Sequence, residues 1–285
     1  MQTGTSSAGA AGSDAPRVLQ GRYQLLRPLR EGSRARTWLA IDLTDRREVA
    51  LERWLVRSEA ASDQAAERAR AASHPNLPSV REVFIEHDAA SEHHVCVVRE
   101  LVEGATLEEW LAERGGQPAT EGEARVIAEQ VLEALAHLHA VSPPLLHGAV
   151  SPKHVLRDPL GKVTLVGHDP RRAGDEPQGS ARGLGFIAPE VATGVATPAS
   201  DLFALGATLA FALTGLPLDR LPHKRLRVVL PASLGLSPLF AAWLAGCSNP
   251  RRRIASSAAD AFARGSAPRA VPRDPRLDRA ARASR

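Results

Sequence analysis

The sequence predicts an α+β fold: a small antiparallel sheet with one helix, followed by a larger, mainly helical region. Three observations carry this. Short segments between Tyr23 and Leu101 alternate apolar and polar residues with the period of strands. After Gly104 the apolar period becomes that of helices. A nearly uncharged apolar run, Leu202–Leu216, marks a buried helix in the second half. A chain of 285 residues accommodates one large domain or two modest ones, and 44% hydrophobic with 24% charged residues is the composition of a folded protein.

The elements follow in order. Residues 1–16 are rich in Gly, Ala, Ser and Thr without periodicity, and residues 1–19 are expected to form a disordered tail. Tyr23–Leu29, Thr37–Asp42 and Glu48–Leu55 read as strands, with turns at Arg30–Arg34 and Thr44–Arg47. Residues 58–72 read as a helix ended at His74-Pro75, because proline disfavours the helical state just before itself. Val80–Ile85 and His94–Leu101 complete the first region, residues 20–102. In the second, residues 103–263, a helix is expected over 121–140 with Val126, Ile127, Val131, Leu135 and Leu138 on one face. A hairpin over Val155–Val166 turns at Asp158–Gly161. A polar loop over 167–185 leads to helices at 200–214, 237–246 and 255–263.

Composition excludes several classes. Two cysteines, Cys96 and Cys247, without a CxxC or partnering histidines exclude a disulfide scaffold and a cysteine zinc site. The longest apolar run has 15 residues, short of the roughly 20 a membrane span needs. The N-terminus lacks the basic and apolar regions of a secretory signal, so a cytoplasmic protein is expected. Residues 264–285 hold seven arginines and two aspartates, which leaves the remainder of this +4 chain at −1. This basic segment is expected to be a solvated disordered terminus. Without interleaved aromatics it does not favour a nucleic-acid reader, and a nucleic acid or acidic partner is the less favoured reading.

Five segments stand in a telling order: His74-Pro-Asn-Leu-Pro78, Glu100-Leu-Val-Glu-Gly104, Gly185-Phe-Ile-Ala-Pro-Glu190, Ser200-Asp-Leu-Phe-Ala-Leu-Gly206 with Leu213-Thr-Gly-Leu-Pro217, and Asn249-Pro-Arg-Arg-Arg253. Over about residues 20–263 they resemble the eukaryotic-type protein kinase domain as found in bacterial serine/threonine kinases. The resemblance implies a two-lobed fold. It also implies a vestigial nucleotide cleft at Gly32, Ala50, Glu100 and Val102, and structural roles for His147, Glu190, Asp201 and Arg253. Glu190 and Arg253 would pair, Asp201 would cap backbone amides near the catalytic loop, and His147 would pack within that loop.

At the family's chemical positions this chain differs. The family needs a glycine-rich loop, a phosphate-pairing lysine, a catalytic aspartate, and an asparagine and an aspartate for magnesium. Here the loop Arg30–Ala35 keeps its middle Gly32. Glu52 stands for the lysine, Ala149 for the aspartate, Ser151 for the catalytic-loop lysine, His154 for the asparagine and Gly167 for the metal aspartate. The first lysine of the chain is Lys153. The helix glutamate falls near Ala65, with Glu67 an alternative.

The resemblance therefore implies a pseudokinase: no catalysis, no metal and no obligatory cofactor, and a protein-binding, regulatory or scaffold role with an unidentified protein partner. Two alternatives stay open, a divergent kinase with residual phosphotransfer and a sensor that binds ATP without magnesium. Arg99, at the gatekeeper position, could fill the adenine pocket, pair with Glu52, or snorkel at the sheet edge. His154, His168 and Asp169 read as loop residues at the surface rather than a metal set. In the activation loop Ser180 is the one hydroxyl residue and Gly183 stands where active members have threonine. Ordering by phosphorylation against Arg171, Arg172 and Arg182 is not expected.

Overall fold

A computed structural model of the chain describes residues 17–31, 35–87, 92–169, 185–216, 220–224 and 227–247. They form two compact units. The first runs to Ala66 and resumes over Ser79–Leu101; the second comprises Glu67–Pro78 and the chain from Val102 onward. The expected boundary after residue 102 thus falls one residue earlier, and the end of the first helix groups with the second unit.

The first unit is built on one antiparallel sheet. Its strands are β1 (Val18–Leu19), β2 (Tyr23–Glu31), β3 (Ala35–Asp42), β4 (Glu48–Val56), β5 (Val80–His87) and β6 (His93–Glu100), in the spatial order β1-β2-β3-β4-β6-β5. Strand alternation sends Val49, Leu51, Cys96 and Val98 to one face, where Tyr23, Ala40 and Leu19 complete an apolar core. The intervening residues of β4 and β6, among them Glu52 and Arg99, take the opposite face. Val18 and Leu19 pair with Gln24 and Tyr23, and Leu19 is buried. Val18 and Leu19, expected within a disordered tail, are instead part of the sheet; residues 1–16 lie outside the described residues. The two-residue strand was invisible to a pattern that needs several alternations. Helix α1 (Glu59–Ala71) follows β4.

The second unit is mainly helical. Helix α2 (Leu107–Glu113) starts at a capping box, with Thr106 accepting from the amide of Glu109 while the Glu109 carboxylate returns to the Thr106 amide. Helix α3 (Glu121–Ala140) repeats the device with Thr120 and Glu123. Its buried stripe contains Ile127, Val131, Leu135 and Leu138, and also Ala124, Ala128, Leu132 and Ala134. Val126, expected on that stripe, is 46% exposed. Successive helical residues diverge by about 100°, so Val126 is carried off a face centred on Ile127 and Val131.

Strands β7 (Ala105–Thr106), β8 (Val155–Arg157) and β9 (Val163–Leu165) form a three-stranded sheet, and β8 and β9 are the expected hairpin. Gly161 closes its turn at φ +89°, where its amide donates to the Asp158 carbonyl. Helix α4 (Pro198–Thr214) begins with proline in its first turn and is buried along most of its length. A minimal ladder of β10 (His223–Lys224) and β11 (Arg227–Val228) precedes α5 (Pro238–Cys247). Glu121 ties the start of α5 to the start of α3: its carboxylate accepts from the Ser237 amide at 2.7 Å and the Ser237 hydroxyl at 2.6 Å. The helix expected over 255–263 and the 264–285 segment lie outside the described residues. No described helix is long and apolar enough to cross a membrane.

Candidate functional site

The residues expected at the family's chemical positions divide between the units, and each group is built by its own unit. In the first, Glu52 on β4 is opposite Val97 on β6, and Ala50 is opposite Arg99. Glu52 and Arg99 are therefore diagonal neighbours on one face, within reach of each other's long side chains. Arg99 Nε donates to Glu52 Oε2 at 3.1 Å, and Trp54 Nε1 lies 3.4 Å from the same oxygen. Both charges are withdrawn from water, Glu52 at 5% and Arg99 at 2% exposure. Because β6 lies between β4 and β5, Arg99 is interior to the sheet, and the snorkelling alternative is set aside. In α1, Ala65 is buried and Glu67 is exposed.

Of the four positions assigned to a nucleotide cleft, Ala50 and Glu100 sit on adjacent strands of the first unit, with Val49 opposite Glu100. Val102 belongs to the second unit, and Gly32 lies outside the described residues.

In the second unit Asp201, in the first turn of α4, is 3% exposed. Its Oδ2 accepts from the His147 amide and its Oδ1 from the Gly148 amide, both at 2.8 Å. Gly148 takes φ +70°, a left-handed bend that glycine adopts without steric cost and that points successive amides at the carboxylate. His139 Nε2, from the last turn of α3, lies 2.9 Å from Asp201 Oδ2. His147 is fully buried, and its Nδ1 accepts from the Ala149 amide at 3.3 Å.

The next turn carries Ser151 and His154. The Ser151 hydroxyl is 2.7 Å from His154 Nδ1, and the His154 amide donates to the Ser151 carbonyl at 2.9 Å. After β9 the chain returns beneath this loop. The Val166 amide donates to the His154 carbonyl, Gly167 turns at φ +77°, and the His168 ring lies 6.1 Å from that of His147. His168 is 2% exposed, which corrects its reading as a surface residue. The hydrogen bond from Val166 draws the following residues inward, a long-range contact no local pattern signals.

Glu190, in a single turn of 3-10 helix (Pro189–Thr193), accepts from the Ser200 hydroxyl at 2.8 Å. Arg253, its expected partner, lies outside the described residues, as do Ser180, Gly183 and the arginines of that loop. Sequence reasoning passed over His139, although a histidine four residues beyond Leu135 on a helix stripe needs a polar partner. It also passed over the role of Asn76, whose side chain donates to Gln130 Oε1 at 3.0 Å and to the Val163 carbonyl at 2.8 Å.

Comparison with known proteins decides the family. The protein kinase domain model matches residues 23–226. The chain belongs to the protein kinase domain family. It is 34% identical over 216 residues to the serine/threonine-protein kinase PrkC of Bacillus subtilis, covering 70% of this chain and 32% of that protein. It is 32% identical over 217 residues to the serine/threonine-protein kinase PknA of Mycobacterium tuberculosis, covering 70% and 49%. The chain thus spans a third to a half of the length of these relatives. The solved Mycobacterium tuberculosis PknI kinase domain superposes with a TM-score of 0.63 at 20% identity, over 88% of this chain and 99% of that one. The fold is the two-lobed α+β kinase fold.

Proposed function

We propose that this kinase-family domain does not transfer phosphate and acts as a protein-binding, regulatory module. The Glu52–Arg99 pair carries the reading. At the strand position where the family presents a lysine to phosphates, a buried carboxylate is already engaged by an arginine of the same sheet. A phosphate would meet like charge at Glu52, and freeing Arg99 to receive it would strand that carboxylate in a poorly solvated place.

The second unit supports the same reading. Phosphoryl transfer rests on positioning and electrostatic stabilisation. Ala149 can neither accept a proton nor orient a hydroxyl. His154 and Gly167 replace the oxygen ligands that magnesium prefers. The hydrogen bonds around Asp201 meanwhile hold the loop as a rigid framework, which suits a surface that is recognised rather than one that reacts. No resident cofactor is part of this proposal.

The test is transfer of labelled γ-phosphate from ATP, with magnesium or manganese, to the protein itself and to a basic protein acceptor. The expected result is no incorporation above a heat-inactivated control. Metal-dependent incorporation would overturn the proposal and favour the divergent kinase.

A further inference from the structure

The hairpin that joins β5 to β6 concentrates metal-ligating residue types. Glu86, His87, Glu92, His93 and His94 fall within nine positions, and three of the chain's ten histidines are among them. Strand alternation divides the group between two faces. On one face Glu86 and His94 are committed: Arg53 Nε donates to Glu86 Oε2 at 2.8 Å, and Arg53 also lies 3.2 Å from His94 Nδ1. On the other face His87 and His93 stand directly opposite each other as the last pair of the ladder.

Their rings meet edge to face, with centroids 4.8 Å apart. Two imidazoles on one tetrahedral zinc, at Zn–N distances of about 2.0–2.1 Å, place their ring centres roughly 5 Å apart. The separation of the two rings therefore matches that of a chelating pair. His93 Nδ1 is also buried with no hydrogen-bond partner among the described residues. Buried polar nitrogens are normally satisfied, so an orphan of this kind calls for a ligand.

We propose that His87 and His93 form a two-histidine site for a borderline divalent transition-metal ion, of the class of Zn²⁺, Ni²⁺ or Cu²⁺, with water completing the coordination. Imidazole suits these ions and not magnesium or calcium, which prefer oxygen. The ion would cross-link β5 to β6 at one end of the strand whose other end carries Arg99. This site is independent of the proposed loss of phosphotransfer.

The test is calorimetric titration of the full chain with ZnCl2, NiCl2 and MgCl2, alongside His87→Ala, His93→Ala and, as a control, His74→Gln. Circular dichroism melting without metal checks that each variant is folded. The expected result is one saturable site for zinc and nickel and none for magnesium. Affinity should fall at least about tenfold in both alanine variants and be unchanged in the control. If His93→Ala does not fold, His87→Ala carries the test alone, because His87 is exposed. Absence of zinc binding at millimolar concentration, or binding that survives His87→Ala, would overturn the proposal.

Discussion

In the first unit the position expected to face phosphates is Glu52, and Arg99 of the neighbouring strand sits 3.1 Å from it, buried with it. In the second, Asp201 holds the amides of His147 and Gly148 at 2.8 Å, while the chemical positions around that loop read Ala149, His154 and Gly167. On the proposed reading, the chemical position of one region is occupied by an internal ion pair, and the other region keeps its framework while Ala149, His154 and Gly167 stand at the positions expected to react. A buried amide needs an acceptor whether or not the loop does chemistry, so the role of Asp201 is independent of Ala149. A buried carboxylate needs a cation or a donor, so Glu52 is tied to Arg99. The contrast separates what the fold requires from what phosphoryl transfer requires.

Breaking the framework should have the largest effect. Asp201→Ala leaves two backbone amides and His139 without their acceptor, at a cost of about 4 kcal/mol in urea unfolding. Asp201→Asn should cost less, because its amide oxygen can still accept one of these bonds. If Asp201→Ala unfolds at the wild-type midpoint, Asp201 is not what holds this loop.

The ion pair should behave differently. Arg99→Met removes the cation hydrogen-bonded to the buried Glu52 and should cost about 3 kcal/mol. The double variant Glu52→Leu/Arg99→Met should return to within about 1 kcal/mol of wild type, since well-packed apolar residues often replace a buried pair without loss. Simple additivity of the two single variants would show that the residues do not act as a unit.

A pH-dependent effect sharpens the view of the first unit. Arg22 donates to both carboxylate oxygens of Asp42, at 2.8 and 2.7 Å, and this hydrogen bonding holds the Asp42 carboxyl below its ordinary 3.8. The folded value is the lower one. The stabilisation is thus complete near neutrality and fades as pH falls below about 4, through the folded value. Melting curves of wild type and Asp42→Asn should converge as the pH is lowered through this range. A difference that stays constant with pH would refute the ion-pair account.

The smallest effect concerns α3. Thr120→Ala removes the hydroxyl that accepts from the Glu123 amide at 3.3 Å and should cost about 1 kcal/mol by thermal unfolding.

The longer elements were legible because periodicity reports burial directly: the alternation of β4 and the stripe of Ile127, Val131, Leu135 and Leu138 are local patterns with one reading each. Two-residue strands such as β1 and β7 carry too little pattern, and only their pairing reveals them. At the candidate site, the expectations for Glu52, Ala149, His154 and Gly167 rest on motif spacing alone. The burial of His168 and the contact of His139 with Asp201 could not, because residues 62 apart meet there through helix packing. Arg99 was legible as an anomaly but not as an interior residue, since strand order is not written in the sequence. Cys96 shows the same limit: burial and the neighbouring Glu86 push its thiol up to about 12, an inert state its spacing did not reveal.

The proposed function implies that this kinase-family domain does not handle ATP with magnesium. A thermal-shift titration with ATP, with and without Mg²⁺, tests it most directly. A nucleotide at 100 times its dissociation constant would stabilise the fold by about 2.7 kcal/mol, a plainly visible rise in melting temperature. The account predicts no Mg²⁺-dependent rise at millimolar ATP. A rise that requires Mg²⁺ would contradict it.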